Sequence, residues 1–361
     1  MNYNDKQFSV YDGNKLKVEI FGASHAPEIG VNLSGLDGEK FDEKILQEFC
    51  ARRRARKTAY STKRLETDEI IFTDGFDGEK ISGRLRAVIK NTSQRSSDYE
   101  KTVKIPRPSH ADFVAWTKYG DGFDYRGGGK FSGRLTAPMC IAGGIIKQLL
   151  EKKGIKINAY ISQVANVKGS SYDDVDVEKY DFPCSDLSFP LLDDSVKDSM
   201  MSEIESVAKR GDSVGGKIEC VVTGVPVGSG EYMFDCIESV ISRLIFAVPA
   251  IKGIEFGSGF KISEMNGSTA NDAFYMDGDT VKTKTNHNGG INGGIANGMP
   301  ITFRVAVKPT PSISIEQDSV NMESRTNTKL KIIGRHDACI VPRAVAVIEA
   351  VTAIAIYDVL D

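Results

Sequence analysis

Three kinds of residue in this chain are placed where they could do chemistry: histidines in loops, glycines in runs and arginines in a cluster. The four histidines are His25, His110, His287 and His336, each set among Gly, Pro, Ser, Asn or Arg. A histidine in such a segment is commonly a surface or packing residue, but beside a cation or carboxylate its imidazole can hold or pass a proton. Ser24 and His25 follow Gly22 and Ala23 at the end of an expected strand. Neighbours on an extended segment face opposite ways, and no G-x-S-x-G elbow is present. The pair is therefore expected to touch a ligand separately, not to act as nucleophile and base. Arg107-Pro108-Ser109-His110-Ala111-Asp112 sets the second histidine beside a stiff X-Pro bend. Gly334-Arg335-His336-Asp337 joins a cation, an imidazole and a carboxylate just before an apolar helix. That group reads either as a surface ion-pair patch or as the lip of a pocket, and its position favours the lip.

Gly127-Gly128-Gly129 lies inside the run from Tyr119 to Thr136 and leads toward a helix. Side-chain-free backbone and a positive helix end make an anion site, to which Lys130, Ser132 and Arg134 add donors. The spacing is not that of a Walker A loop, because Asp124 stands where its first Gly belongs and Phe131 follows the lysine. A second cluster, Gly289-Gly290-Ile291-Asn292-Gly293-Gly294, is either a pair of turns or a backbone surface against which a flat ring could lie. Lys308-Pro309-Thr310-Pro311-Ser312 offers an ammonium and two hydroxyls, suited to a second phosphate. Arg52, Arg53, Arg54, Arg56 and Arg64 crowd together although the net charge is only −3. Such a local cluster suggests a small, highly anionic ligand held by guanidinium forks.

The balance of 46 basic against 49 acidic side chains gives no sign of a nucleic-acid or anionic-membrane partner. Glycine, at 35 residues, is above its usual share of about 7%, which fits close backbone approach at several places. None of the six cysteines is spaced C-x-x-C, so buried reduced thiols are expected and no metal site. The N-terminus lacks the apolar core of a signal peptide. No apolar run reaches the ~18 to 20 residues of a membrane span; in the stretch from Val341, Arg343, Glu349 and Asp358 intervene. A cytoplasmic protein is expected.

The elements that must position these residues follow from periodicity. Strands are expected at Lys15–Ile20, Ile29–Leu33, Glu69–Phe72, Leu85–Lys90, Lys217–Thr223 and Ile301–Val307. Helices are expected at Phe41–Arg54 with Ile45, Leu46 and Phe49 on one face, at Met200–Arg210 and at Phe234–Ala247. A long helix over Leu135–Lys152 stops at Gly154, and a buried one over Pro342–Leu360 opens on proline. The polar, acidic stretch Lys168–Asp194 reads as a surface excursion. No linker divides the chain, so residues 1–361 read as one α+β domain.

In order and spacing these motifs resemble those of the chorismate synthase family, from about residue 8 to the C-terminus. Gly22–His25 is similar to G-E-S-H-G, Arg52–Arg54 to R-R-R, and Asn91–Ser96 to N-T-D-Q-R-S. Arg107–Asp112 resembles R-P-G-H-A-D, Asp124–Thr136 resembles D-Y-R-G-G-G-R-S-S-A-R-E-T, and Gly289–Gly298 resembles G-G-I-x-G-G-I-x-x-G. Arg335–Arg343 resembles R-H-D-P-C-V-x-x-R. The resemblance implies a β-α-β sandwich with central helices between antiparallel sheets. It implies a lyase that eliminates phosphate from 5-enolpyruvylshikimate-3-phosphate, with reduced FMN (FMNH2) as a redox-neutral cofactor. It also implies a homotetramer and, with no dinucleotide fingerprint present, an external source of reduced flavin.

Residue by residue, the resemblance puts His25, assisted by Ser24, at the leaving phosphate and His110 at the flavin ring. Asp337 becomes a proton acceptor, and Ser132 joins the catalytic set. Arg53 and Arg134 fall to the substrate. Lys130, Phe131, Ser132, Ala250, Gly293, Lys308, Pro309, Thr310, Pro311, Ser312 and Arg335 fall to FMN. The chain departs from the pattern at Ala23, Ala26, Lys130-Phe131, Leu135, Ala59 and Pro249. Those departures leave open a flavin-binding scaffold without turnover; a flavin reductase using NADPH is a third reading, against which the missing dinucleotide fingerprint counts.

Overall fold

The computed structural model describes residues 7–55, 67–92, 104–120, 124, 126–180, 182, 187–332 and 337–360. Arg56, Ala59, Arg64, Ser93–Ser96, Gly334, Arg335 and His336, all singled out above, lie outside the described residues, as does Cys184 among the six cysteines.

The first sheet is built from β1 (Phe8–Asp12), β2 (Lys17–Gly22), β3 (Glu28–Ser34), β4 (Ile71–Phe76) and β5 (Ile81–Lys90), in the order β1-β2-β3-β5-β4. All its pairings are antiparallel. Between β3 and β4 runs α1 (Glu43–Ala51), whose N-terminus is capped by the Asp42 carboxylate accepting from Lys44 and Ile45 N–H groups. Its buried face is Leu46, Phe49 and Cys50; Ile45, expected on that face, is half exposed because the helix turns it outward.

After α2 (Asp112–Tyr119) come α3 (Thr136–Lys152), β6 (Lys156–Val164), β7 (Val167–Lys168), α4 (Lys197–Lys209), β8 (Gly216–Thr223), α5 (Ile237–Ile245) and β9 (Ile251–Phe256). The short α6 (Gly267–Ala270) precedes the hairpins β10 (Phe274–Asp277) with β11 (Thr280–Thr283) and β12 (Ile291–Asn292) with β13 (Ile295–Ala296). Then follow β14 (Ile301–Val307), the hairpin β15 (Gln317–Asn321) with β16 (Thr326–Leu330), and α7 (Val341–Val359). A second antiparallel sheet has the order β7-β6-β8-β14-β9.

Helix α3 packs on the first sheet, α7 on the second, and the two helices pack on each other. The fold is therefore a sandwich of two antiparallel sheets with helices between them. Nearly every residue of α3 and α7 is buried, as expected for helices with no solvent face. Their backbones come together at Gly143, where a Cβ would lie 2.2 Å from the carbonyl oxygen of Ala350. A glycine inside a helix costs about 1 kcal/mol against alanine; here it lets two backbones touch.

The three charges of α7 each tie a different part of the chain to it. Arg343 bonds Asp337 and the Arg53 carbonyl. Glu349 bonds Arg52. Asp358 accepts from Tyr11 Oη and from the backbone N–H groups of Asn14, Lys15 and Leu16 in the β1–β2 turn.

The acidic stretch after β7 is more than a surface excursion. Tyr172 and Leu192 are buried against Tyr160 and Val221 on the outer face of the second sheet. There Glu219 accepts from Tyr160 Oη, Ser171 Oγ and Tyr172 N–H at 2.7, 2.9 and 2.9 Å. Because β6 and β8 carry apolar side chains on both faces, both faces need cover.

Candidate active site

The glycine triplet has φ of +59, +88 and +54°, a left-handed run that side chains would strain. At Gly127 a Cβ would stand 2.8 Å from His25 Nε2 and from Ser24 Oγ. The turn holding these residues is laid directly on the triplet: Ser24 N–H donates to the Gly129 carbonyl at 3.2 Å and Ser24 Oγ to the Arg126 carbonyl at 2.8 Å. The segment is not extended, because Gly22 turns the chain at φ +94°. Ser24 and His25 consequently converge on one glycine, where the sequence suggested opposite directions; both are buried. Asn91 pins the turn by donating to the carbonyls of Ala23 and Ala26, and its Oδ1 accepts from Arg134 Nε at 3.0 Å.

The triplet does not run straight into α3. Ser132 Oγ accepts from Arg134 N–H at 3.2 Å and caps a 3-10 turn over Gly133–Leu135, after which the α-helix begins. The hydroxyl oxygen of Ser132 is thus committed to a cap, while its proton can still donate.

On one side of the triplet stands His110. The chain reaches it through Ser109, a non-glycine residue at φ +60°. His110 Nδ1 lies 2.6 Å from Asp112 Oδ1, and the Cε1–Nε2 edge of the ring faces Gly128. Arg107 grips Asp112 with Nε at 2.7 Å and Nη2 at 2.8 Å, and its Nη1 donates to Ser312 Oγ at 3.3 Å. Burial by itself would raise the Asp112 carboxyl, but the bonds from Arg107 and His110 outweigh it and hold the group well below the usual range. The β15–β16 hairpin steadies this segment, with Ser319 Oγ donating to the Pro106 carbonyl at 2.6 Å.

On the other side stand the arginines. Arg53 is buried and donates through Nε to Thr136 Oγ1 at 2.7 Å, through Nη2 to the Gly133 carbonyl at 3.1 Å and through Nη1 to Asp68 Oδ2 at 3.2 Å. Burial, with Arg343 nearby, lowers its guanidinium to about 10; Asp68 works against that loss of charge. Asp68 also accepts from Arg134. No motif singled out Asp68, whose backbone is left-handed at φ +47°, a conformation aspartate tolerates. Arg343, equally missed as a site residue, bonds Asp337. Arg52 leaves the cluster altogether for Glu349, so the arginine run is divided between ligand site and core.

These groups line one cleft of about 670 Å³. Arg53, Asp68, Arg107, His110, Lys130, Phe131, Ser132, Arg134, Ala250, Lys308, Thr310, Pro311, Ser312, Asp337 and Arg343 face it. Val248, Ile340, Ala344 and Val347 add an apolar wall. Lys308 Nζ donates to the Ser109 carbonyl at 2.6 Å, and burial beside Lys252 lowers its ammonium from the usual lysine value. Ala250, at φ +75°, accepts from the Lys308 N–H at 2.9 Å. Pro309 lies between lining neighbours and packs on Gly215. His25 and Ser24 back the cleft through Gly127. Gly293 does not line it: the residue sits in the turn of β12–β13, and its cluster packs Gly289 against Gly257 and Gly294 against Cys236. These glycines form turns, and His287 belongs to that packing through its 2.8 Å bond with Ser258 Oγ. Among the described residues no group of three or more His, Cys, Asp or Glu could hold a metal ion.

Fold and cleft together define a class: an α+β sandwich whose cleft is lined by Arg53, Arg107, Arg134 and Arg343. Comparison with known proteins narrows this. The family model described as chorismate synthase matches residues 16–360. A chorismate synthase of Dehalococcoides mccartyi is 42% identical over 348 residues, covering 96% of this chain and 95% of the relative. Those of Thermococcus gammatolerans and Korarchaeum cryptofilum are 40% and 38% identical, each over 96% of both chains. A crystal structure of chorismate synthase shares the fold with a TM-score of 0.67, at 22% identity over 96% of this chain and 92% of that one. The chain belongs to the chorismate synthase family, enzymes of the shikimate pathway.

Proposed function

We propose that this protein eliminates phosphate from 5-enolpyruvylshikimate-3-phosphate to give chorismate, with reduced FMN held in the cleft. The observation that carries the reading is the meeting of Arg53, Arg134, His110, Ser132, Lys308 and Asp337 in one cavity, from segments scattered between residues 53 and 337. Substrate and cofactor together bring two phosphates and two carboxylates, and the cleft offers guanidiniums, an ammonium, hydroxyls and bare glycine backbone.

The lining also fits a flavin. The cavity lies within the roughly 300–1,000 Å³ of cofactor sites, and one wall is apolar while the other is cationic. Lys130, Phe131, Ser132 and Ala250 would hold the ring, and Lys308, Thr310, Pro311 and Ser312 the phosphate end; Arg335 and Gly293 join them by resemblance alone. When bound, reduced flavin supplies the electron density that expulsion of phosphate requires.

The rest is the chain's own work. Arg53 and Arg134, spaced by Asp68, would anchor the substrate anions. His25, with Ser24, would meet the leaving phosphate across the glycine triplet. His110, when its ring carries both protons, would offer a donor to an anionic ring. Asp337, fixed by Arg343, would accept the ring proton. The substrate loses inorganic phosphate and one ring hydrogen as a proton, so no net oxidant is consumed.

Anaerobic incubation of the purified protein with chemically reduced FMN and the substrate is expected to release phosphate and chorismate in equal amounts. No turnover, with FMN still bound, would reject the reading in favour of a scaffold. NADPH oxidation dependent on added FMN would show that the protein reduces its own flavin; a separate donor is proposed instead. A cytoplasmic homotetramer completes the proposal, supported by the exposure of Phe234 at 90% and Phe260 at 83%. Light scattering on a sizing column checks the assembly. In the described residues no helix is long and apolar enough to cross a membrane.

A further inference from the structure

His110 has two ring nitrogens, and the proton on one decides what the other can do. Nδ1 lies 2.6 Å from Asp112 Oδ1. At that distance a bare nitrogen would press its lone pair on a carboxylate oxygen, whereas an N–H makes a short charge-assisted bond. Asp112 is itself immobilised: Arg107 grips both its oxygens through Nε and Nη2, and the Arg107 backbone N–H donates to Oδ2 at 3.0 Å. Arg107 Nη2 also lies 3.1 Å from His110 Nδ1 and 2.8 Å from Oδ1. With the proton on Nδ1 the two nitrogens share Oδ1 as acceptor, whereas a bare Nδ1 would accept from Nη2 while facing Oδ1 at 2.6 Å. The opposite ring edge faces the glycine triplet, where a Cβ at Gly128 would stand 3.3 Å from both Cε1 and Nε2.

We propose that Asp112 is a positioning residue: clamped by Arg107, it locks neutral His110 as the Nδ1–H tautomer and so presents Nε2 to the ligand side of the cleft. Neutral His110 then accepts there, and the protonated ring donates. Ser109 makes this possible by turning the chain through φ +60°, which folds the histidine back onto Asp112 two residues later. The consequence for turnover rests on the elimination proposed above; the tautomer does not.

Nitrogen-15 NMR of the full-length protein labelled at the histidine ring nitrogens reads the tautomer directly, with the His110 signals assigned by their loss in His110→Gln. In the unsubstituted protein the proton is expected on Nδ1. In Asp112→Asn the side-chain amide can donate to Nδ1, and the proton is expected to move toward Nε2. The same variant should lower kcat by roughly 10²- to 10⁴-fold, the range seen when a histidine's orienting carboxylate is lost, with KM for the substrate changed less than about threefold. A proton on Nε2 in the unsubstituted protein overturns the proposal, and so does an Asp112→Asn variant that keeps both tautomer and kcat. The unsubstituted spectrum decides the matter even where the variant fails to fold. Absence of any turnover by the unsubstituted protein would count against the elimination and leave the tautomer measurement standing.

Discussion

Arg52 and Glu349 are joined fork to fork: Nη1 and Nη2 of the arginine each donate to one carboxylate oxygen at 2.7 Å, between residues 297 apart in the chain. The pair ties the end of α1 to the middle of α7, and the same carboxylate accepts from the Ala159 N–H of β6 at 3.2 Å. One carboxylate thereby holds elements from both layers of helix and from the second sheet. The first of three consecutive arginines serves the fold, and the second serves the cleft.

Removing one partner of a buried pair strands the other, at about 3–5 kcal/mol. Glu349→Ala should therefore lower the unfolding free energy by that amount, and the urea midpoint with it. The double variant Arg52→Met with Glu349→Leu should recover much of the loss, since an apolar pair of similar volume strands no charge. Urea titrations check both, and an unchanged midpoint for Glu349→Ala would contradict the geometry.

Gly127→Ala introduces a methyl group 2.8 Å from Ser24 Oγ and His25 Nε2 at a left-handed φ. The backbone strain is worth on the order of 1–2 kcal/mol, but the larger effect should fall on turnover, with kcat reduced more than about tenfold by a displacement of this kind. Gly267→Ala, where nothing lies within 4 Å and φ is ordinary, is the control and should leave activity intact. Equal activity in both variants would separate the Ser24–His25 turn from the reaction.

Acid should reveal the clamp on Asp112. Its folded carboxyl titrates below the unfolded value of about 3.9. The stabilisation it contributes is present above that pH and is lost as pH falls through the folded pKa. Unfolding free energy measured from pH 5 downward should fall less steeply in Asp112→Asn than in the unsubstituted protein. Identical slopes would mean that the carboxyl is unperturbed.

Thiol labelling tests the core. Burial pushes Cys140 and Cys339 up to about 12 and raises Cys50 and Cys220 as well. Cys236, at the start of α5, is the partly exposed thiol among the described residues. Peptide mapping after brief iodoacetamide treatment should find label on Cys236 before any of those four. Early labelling of Cys140 or Cys220 would contradict the packing of the central helices.

Local pattern was enough for the elements whose signals are short-range. The helix read at Leu135–Lys152 forms over Thr136–Lys152, and strand Ile301–Val307 forms over those same residues. Strand β6 and the hairpins β10–β11 and β15–β16 escaped the reading. The first is apolar on both faces, which hides its alternation, and the hairpin strands are largely solvent-facing, with little apolar alternation to detect.

By itself, then, the chain's sequence determined five of its helices, much of its two sheets and the loops that hold His110, Ser132, Lys308 and Asp337, because each rests on contacts or spacings within a few residues, and its family through the order of those short motifs. Tertiary structure alone decided which of those groups meet. It brought Asp68 between Arg53 and Arg134, sent Arg52 to Glu349, folded Ser24 and His25 onto Gly127, and set Gly293 in a hairpin turn outside the lining of the cleft. Those outcomes depend on how two sheets close over α3 and α7, a packing of surfaces hundreds of residues apart that no local spacing encodes.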